Sequence, residues 1–230
     1  MKVLGVIPAR GGSKGVVGKN IKLLDGLPLI AYTIDIANKS QLTDVIVSTD
    51  SEKIAETAKA HDGNVPFIRP NELATDSAKA IPVILHALER MEQEKNITYD
   101  AIMMLQPTSP FKLVSDINEA LEILDKTGAD SVISVVSVGG HHPARMKYLE
   151  GDQLIDPTFC EAYENQPRQE LRPMFIRNGA IYLTRRDVLL SGSFKGKDCR
   201  ALLMPEERSV NIDTEIDFKY ASWVKKEILD

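Results

Sequence analysis

The chain is poor in cysteine. Only two cysteines, Cys160 and Cys199, occur in its 230 residues. Their positions match neither the spacing of a metal site nor that of a redox motif. Because nothing in the sequence points to an oxidising compartment, we predict a cytoplasmic protein.

Long apolar runs and an excess of positive charge are also missing. No stretch approaches the ~20 apolar residues of a membrane span, and the apolar run at residues 3–9 is too short for a secretory signal. With a net charge of −5, the chain has no overall positive field to attract nucleic acid or an anionic membrane. We therefore expect neither partner, and an anionic substrate would have to be bound by local cations.

The sequence does contain enough apolar residues for a large core, since 43% of them are hydrophobic. Segments with helical periodicity alternate with short runs rich in Val, Ile and Leu, which are typical of buried parallel strands. This alternation predicts an α/β fold with a three-layer, doubly wound, mostly parallel sheet, and we expect residues 1–230 to form a single domain. The predicted strands cover residues 2–8, 44–50, 65–68, 100–105, 131–138, 180–184 and 200–204.

A glycine-rich loop follows the first predicted strand, in the sequence PARGGSKGVVGKN at residues 8–20. Its glycines allow backbone N–H groups to approach an anion, and its cations supply positive charge. The glycines are Gly11, Gly12, Gly15 and Gly18, and the cations are Arg10, Lys14 and Lys19. We predict that this loop binds phosphate, although a solvated glycine-rich connector is an alternative at this point.

Two familiar phosphate loops do not match this sequence. The P-loop pattern requires glycine where Ser13 stands, and serine or threonine where Asn20 stands. The dinucleotide-binding fingerprint requires a helix that starts inside the motif, whereas helical periodicity here begins only at Pro28. If the loop binds phosphate, it therefore does so in a way that neither template describes.

Residues 139–177 interrupt the alternation of strands and helices. Helical periodicity disappears there, and Gly, His, Pro and polar residues surround a possible hairpin within residues 146–155. We interpret the segment as an excursion from the core, which could be either an active-site lid or an arm that contacts another subunit.

Five separated motifs occur in an order that is typical of one enzyme family. They are PARGGSKGVVGKN at 8–20, LQPTSP at 105–110, QPRQ at 166–169, RNGAIY at 177–182 and NIDTEIDF at 211–218. Together they resemble the N-acylneuraminate cytidylyltransferases, also called CMP-sialic acid synthetases, over about residues 2–220. The resemblance implies a Rossmann-like nucleotidyltransferase that uses CTP and Mg²⁺ and forms a homodimer through the 139–177 excursion.

The implied reaction is attack of the anomeric hydroxyl of a nine-carbon 2-keto sugar acid on the α-phosphate of CTP, with release of pyrophosphate. N-acetylneuraminate or a relative such as legionaminate would be the acid. Alternatives are another 2-keto acid such as 3-deoxy-manno-octulosonate, or a nucleotide-sugar-binding protein or glycosyltransferase without this activity. A transfer between two anions depends on neutralising cations and on accurate alignment.

The resemblance and the residue types together assign roles around the nucleotide. Arg10, Lys19 and Asp213 are the predicted catalytic residues. Arg69 follows a predicted strand, and by resemblance it borders the nucleotide pocket. The predicted CTP-binding residues are Arg10, Gly11, Gly12, Ser13, Lys14, Lys19, Asn20 and Arg69.

Asn211 and Asp213 are the predicted ligands of Mg²⁺, because side chains two residues apart on an extended segment point the same way. The family that the chain resembles usually has Asp at both positions, so Asn211 departs from its pattern. Mg²⁺ is often held by one or two carboxylates with water and phosphate, so an amide oxygen would be a workable and weaker ligand. The alternative is that Asp213 only caps the last helix.

Four residues are predicted to bind the acidic sugar: Gln106, Arg145, Arg168 and Asn178. Gln106 ends a buried strand and precedes two prolines that stiffen the turn. Both arginines carry the planar fork that suits a carboxylate. Asn178 precedes a glycine at which the backbone can approach a substrate closely. His141 and His142 could act as a general base, but a role in shaping the sugar site is favoured.

Overall fold

The structure, a computed structural model, describes residues 1–13, 15–75 and 77–229. Its strands are β1 (Val3–Pro8), β2 (Leu23–Leu24), β3 (Leu27–Pro28), β4 (Asp44–Ser48), β5 (Ala101–Leu105), β6 (Ser131–Ser137), β7 (Tyr148–Glu150), β8 (Gln153–Ile155), β9 (Phe175–Arg185) and β10 (Cys199–Leu203). Its α-helices are α1 (Leu29–Asn38), α2 (Glu52–Lys59), α3 (Ala80–Lys95), α4 (Val114–Thr127), α5 (Arg186–Leu190) and α6 (Glu215–Val224).

Six strands form the central sheet, in the order β10-β6-β9-β5-β1-β4. Neighbouring strands pair in parallel except at β9, which runs antiparallel to both β5 and β6. The other strands form two small hairpins, β2 with β3 and β7 with β8. The predicted mostly parallel sheet is therefore confirmed.

Apolar side chains cover both faces of the sheet, because successive residues of a strand point to opposite sides. In β1, Val3 and Ile7 pack with residues of α1, α2 and α4. Leu4 and Val6 face the other way and pack with residues of α3 and α5. This arrangement confirms the predicted three layers and explains why the strand sequences are apolar throughout rather than alternating.

Two predicted strands differ from the structure. Residues 65–68 make only an isolated bridge between Thr49 and Ile68, and Pro66, which has no N–H group to donate, explains why a continuous ladder does not form there. Strand β9 begins well before residue 180, and its pairing with β6 shifts register between Ile133 and Val135. Gly179 adopts φ 81° at this irregularity, as a β-bulge commonly requires.

The excursion lies between β6 and β9 and contains the predicted hairpin, formed by β7 and β8. Most of its large apolar side chains are exposed rather than packed on the core. They are Met146, Tyr148, Leu149, Leu154, Ile155, Phe159, Tyr163, Met174, Phe175 and Ile176. In the described part of the chain, no helix combines the length and the hydropathy that crossing a membrane would require.

Candidate active site

A cavity of about 500 Å³ opens where β1 and β5 end, at the carboxyl edge of the sheet, beside the start of α3. Parallel strands bring their carboxyl ends to one edge, so the loops that follow them meet there. Eight of the predicted site residues line the cavity: Arg10, Ser13, Lys19, Asn20, Arg69, Gln106, Asn211 and Asp213.

The glycine-rich loop after β1 is held in shape by its own polar groups. Asn20 donates from Nδ2 to the backbone oxygen of Arg10 at 3.0 Å, which ties the two ends of the loop together. The Ser13 hydroxyl donates to the Val16 oxygen at 2.6 Å and accepts from the Lys19 N–H at 3.2 Å. Lys14 lies outside the described residues, so its assignment to the phosphates stays a prediction.

A carboxylate anchors the start of this loop. Asp50, just after β4, accepts from the Gly11 N–H at 3.1 Å and from the Arg69 guanidinium at 3.3 Å. Arg69 also donates to the Ser48 oxygen. Burial lowers the pKa of Arg69, and the neighbouring Asp50 carboxylate opposes that effect. Arg69 thus borders the cavity as a buried cation whose position is fixed by β4.

The loop also contacts the segment that follows β10. A Cβ atom at Gly15 would lie only 2.0 Å from the backbone oxygen of Asp213. Real Cβ atoms do not approach an oxygen so closely, so only glycine is compatible with this packing. The two halves of the cavity, one from each end of the chain, are therefore in direct contact.

Lys19 joins the same two halves through its side chain. Its ammonium donates to the Ile212 oxygen at 2.7 Å and to Asp213 Oδ1 at 3.3 Å. Asn211 donates from Nδ2 to the other carboxylate oxygen, Oδ2, at 2.7 Å. The expectation that residues 211 and 213 point the same way is correct. Although Asp213 is bonded on both oxygens, its side chain remains 68% exposed.

Helix α6 does not use Asp213 as its cap. Thr214 occupies the N-cap position, and its side chain accepts from the Asp217 N–H. Asp217 in turn accepts from the N–H groups of Asp213 and Thr214. The Asp213 carboxylate is therefore left to face the cavity, and the capping alternative for this residue is wrong.

Gln106 stands at the end of β5 on the opposite wall. Its Oε1 lies 3.0 Å from the position that a Cβ on Gly179 would occupy. The same Cβ would lie 3.5 Å from Asn211 Oδ1. The glycine in the β9 bulge therefore gives room to two polar side chains of the site.

Asn178 is buried beneath that bulge and binds within the protein. Its Oδ1 accepts from the Ser134 hydroxyl at 2.6 Å, and its Nδ2 donates to the Ser209 hydroxyl at 2.9 Å. Its backbone oxygen accepts from the Ser109 hydroxyl at 3.0 Å. These bonds connect β6, β9, the loop after β5 and the segment after β10, and direct contact of this amide with a sugar stays a prediction.

Comparison with known proteins decides the family. Residues 4–189 match the family described as cytidylyltransferase. The chain belongs to this cytidylyltransferase family. The predicted resemblance is therefore confirmed at the level of the family.

Proteins of similar length, and some longer ones, are related in sequence to this cytidylyltransferase. The CMP-N,N'-diacetyllegionaminic acid synthase of Legionella pneumophila is 36% identical, over 95% of this chain and 94% of that protein. The Post-translational flagellin modification protein B of Campylobacter coli is 35% identical, over 98% and 96%. The N-acylneuraminate cytidylyltransferase of Escherichia coli is 32% identical over 98% of this chain, which spans 52% of that protein.

The fold of this cytidylyltransferase is also found in a solved structure of CMP:2-keto-3-deoxy-manno-octonic acid synthetase complexed with CTP. The two chains superpose with a TM-score of 0.74 and cover 98% of each other. Their sequence identity is only 17%, so the likeness concerns the fold. It agrees with the predicted Rossmann-like nucleotidyltransferase architecture.

Two predicted sugar-binding arginines lie in the excursion of this cytidylyltransferase, away from the cavity lining. Arg145 donates from Nε to Glu161 at 3.0 Å and from its terminal nitrogen to the Gln166 oxygen at 2.8 Å. Arg168 is exposed and lines a separate hollow at the base of the excursion. The structure does not bring either arginine to Gln106 within one chain, so their assignment stays a prediction.

His142 is engaged on both ring nitrogens. Nδ1 accepts from the Ala144 N–H at 3.2 Å, and Nε2 faces the Arg172 oxygen at 2.9 Å. With Nε2 protonated and Nδ1 accepting, the ring bridges two parts of the excursion. This arrangement supports a role in shaping the excursion rather than in removing a proton.

Sequence reasoning missed three polar residues that organise the site: Asp50, Lys112 and Asp116. Asp50 precedes a helix, where an acidic residue normally indicates a cap, but Ser51 caps α2 instead. Asp116 is the third residue of α4, and it forms a partly buried ion pair with Arg208. Lys112 follows a proline-rich turn, and in sequence it is indistinguishable from a solvated surface lysine.

Proposed function

We propose that this chain transfers CMP from CTP to the anomeric hydroxyl of an acidic 2-keto sugar and releases pyrophosphate. An oxygen–phosphorus bond forms between the sugar and the α-phosphorus, and the bond from the α-phosphorus to the pyrophosphate oxygen breaks. Pyrophosphate leaves with the electron pair of that bond, and the hydroxyl proton passes to water. The observation that supports this proposal most strongly is the closure of the glycine-rich loop onto the Asp213 segment. A cationic loop that can neutralise a triphosphate and a carboxylate that can hold a metal ion face one cavity.

Arg10 and Lys19 would provide the positive charge for the triphosphate. Lys19 lines the cavity beside Asp213, so its ammonium could stay paired with that carboxylate or turn towards a phosphate oxygen. The Gly12 N–H would bind a phosphate oxygen, as in other backbone anion sites. The N–H groups of Gly11 and Ser13 donate to Asp50 and to the Gly11 oxygen, so they would bind phosphate only after leaving these acceptors. Asn20 holds the loop in shape, while Arg69 borders the part of the cavity formed by α3.

The residues present are compatible with a magnesium ion. Among residues 1–13, 15–75 and 77–229, no cluster of three or more His, Cys, Asp or Glu side chains could hold a metal by itself. Asp213 would therefore be the charged protein ligand, since Mg²⁺ in nucleotide sites commonly uses one or two carboxylates together with phosphates and water. Asn211 would become a ligand only by turning its amide oxygen towards the ion. When bound there, Mg²⁺ would neutralise negative charge on the triphosphate and on the leaving pyrophosphate.

The proposed acid is a nine-carbon 2-keto acid of the legionaminate and neuraminate group. Relatives named for both acids support this choice, and those most similar in length include the legionaminic acid synthase of Legionella. Gln106 would bind the sugar at the mouth of the cavity. Asn178 would support this wall of the site, and Arg145 and Arg168 would act from the excursion.

We also propose that the excursion joins two copies of the chain. Its exposed apolar residues form a surface of the kind that marks a protein interface. Within one chain, Arg145 and Arg168 do not line the cavity. In a homodimer, they could instead reach the cavity of the other subunit.

The decisive experiment is a pyrophosphate-release assay with CTP, Mg²⁺ and a panel of 2-keto sugar acids. We expect release with CTP and a nine-carbon acid, and little release with the other nucleoside triphosphates. Release only with an eight-carbon acid would reassign the substrate. No release with any nucleotide and acid, over a range of Mg²⁺ concentrations, would refute the proposed activity and leave a nucleotide-binding role.

A further inference from the structure

Lys112 is a buried lysine behind the cavity wall that contains Gln106. Only 1% of its surface is exposed. Its ammonium donates to the Gln106 oxygen at 2.9 Å, to the Ser109 oxygen at 2.6 Å and to the Thr33 hydroxyl at 3.1 Å. Two of its three partners therefore belong to the short turn that follows β5.

The number of partners matches the number of donors. A buried ammonium is costly unless each N–H finds an acceptor, and here three N–H groups meet three acceptors. The nearby Asp116 carboxylate favours the charged form, but it is itself bonded by both terminal nitrogens of Arg208. Lys112 thus contributes a buried amino group that gathers the carbonyl oxygens of the turn.

The 106–109 turn is also hydrogen-bonded to the segment that contains Asp213. The Thr108 oxygen accepts from the Ile212 N–H at 2.8 Å, and this backbone hydrogen bond fixes Ile212 next to the turn. The Ile212 oxygen accepts in turn from the Lys19 ammonium at 2.7 Å, and the next residue is Asp213. A contiguous set of hydrogen bonds therefore runs from Lys112 through the turn to Lys19 and Asp213.

We infer that Lys112 is a positioning residue, which holds the 106–109 turn so that Gln106, Lys19 and Asp213 face one another across the cavity. The part of this inference that concerns catalysis rests on the proposed function. Its structural content, the coupling of Lys112 to the turn and to Ile212, can be tested without any turnover.

The test is amide hydrogen exchange of the full chain and of its Lys112→Met variant, which replaces the apolar stem of the side chain but removes the amino group and its donors. The informative amides are those of Ser109, which donates to the Gln106 oxygen, and Ile212, which donates to the Thr108 oxygen. In the variant, we expect both to exchange faster by about tenfold or more, because the bonds that hold the turn are lost. In the pyrophosphate assay, kcat should fall by about tenfold or more, since alignment is disturbed.

The matched control is Arg186→Met. Arg186 makes two hydrogen bonds to Glu92 on the other side of the sheet, at 2.8 and 2.9 Å, so its loss removes a partly buried charge pair away from the cavity. We expect this variant to change the exchange rates of the Ser109 and Ile212 amides by less than about threefold. Each protein is measured at a temperature equally far below its own unfolding midpoint. Equal effects of the two variants on these amides would overturn the inference. Absence of turnover in the unmodified chain would instead contradict the proposed function.

A second variant covers the case in which Lys112→Met does not fold. Thr33→Val is nearly isosteric and removes one of the three acceptors of the ammonium. We expect exchange at Ser109 and Ile212 to accelerate by about threefold or more, because the ammonium is held less firmly. Unchanged exchange at both amides in a folded Thr33→Val protein would overturn the inference.

Discussion

Asn211 donates its side-chain amide to Asp213 Oδ2 across 2.7 Å. The neutral amide therefore stabilises the carboxylate, whereas an aspartate at position 211 would place a second negative charge beside it. This bond and the Lys19 contact keep Asp213 oriented towards the cavity. A chain with two carboxylates here would depend more strongly on a cation to keep them together.

The variant Asn211→Asp should strengthen the response to Mg²⁺. We expect the Mg²⁺ concentration for half-maximal pyrophosphate release to fall by about tenfold, since a second charged oxygen ligand is added. Without Mg²⁺, the variant should unfold at a lower temperature, because two carboxylates repel each other, and added Mg²⁺ should restore the midpoint. Identical Mg²⁺ dependence in both measurements would show that residue 211 does not approach the ion.

The variant Arg10→Ala should lose turnover while keeping its fold. Arg10 lies at the end of β1 on the cavity wall, where its charge would stabilise the triphosphate during transfer. Loss of one such group typically lowers kcat by about 100-fold or more. Thermal unfolding would establish that the fold is intact, and Arg200→Ala, which alters an exposed arginine on β10, serves as the control. Unchanged turnover would remove Arg10 from the proposed site.

The variant Gly15→Ala should separate the two halves of the cavity. Its Cβ would collide with the Asp213 oxygen, so either the loop or the Asp213 segment must move. We expect both a lower unfolding midpoint and a severe loss of turnover. Gly12→Ala is the matched control for stability, because among the described residues a Cβ at Gly12 meets no atom within 4 Å. Similar unfolding midpoints for the two variants would contradict the proposed contact.

The hairpin of the excursion should be needed for association of two chains. Leu149 and Leu154 are 70% and 72% exposed and face each other in the register of β7 and β8. We expect Leu149→Glu or Leu154→Glu to shift the protein from dimer to monomer in light scattering, since a charge in an apolar interface is strongly unfavourable. Leu203→Glu, at an exposed leucine on β10, should leave the dimer unchanged. A monomeric unmodified chain would refute the proposed dimer.

The sequence predicted the sheet well because its strands are buried on both faces and therefore continuously apolar. It also identified the two halves of the cavity, since the glycine-rich loop and the Asn211–Asp213 pair each follow a strand. It could not show that Gly15 touches Asp213 or that Asp50 holds Gly11, because those contacts join segments distant along the chain. Burial of Lys112 could not be predicted either, since its partners are mostly backbone oxygens that carry no sequence signal.

The burial of Lys112 should make the stability of the protein depend on pH. Burial lowers the pKa of Lys112 from its ordinary value of 10.5 to about 7, and the Asp116 carboxylate opposes this effect. Between these two values, the unfolded chain binds a proton that the folded chain has released. The unfolding free energy should therefore rise as the pH increases from about 7 towards 10.5, and below pH 7 this contribution should be constant. The neutral amine can still donate to two carbonyl oxygens and accept from the Thr33 hydroxyl.

Chemical unfolding of the unmodified chain and of Lys112→Met, measured between about pH 6 and about pH 9.5, isolates this contribution. Within that window, the difference in unfolding free energy between the two proteins should grow in favour of the unmodified chain, by about 1.4 kcal/mol for each unit of pH above about 7 at most. The upper limit avoids the titration of Tyr99, whose pKa in the folded protein is raised by burial and by its bond to Asp44. At higher pH, Tyr99 would ionise in the unfolded chain before it does so in the folded protein, and this would lower the unfolding free energy. A pH-independent difference between the two proteins would mean that Lys112 stays charged in the folded protein, with its three acceptors outweighing the cost of burial.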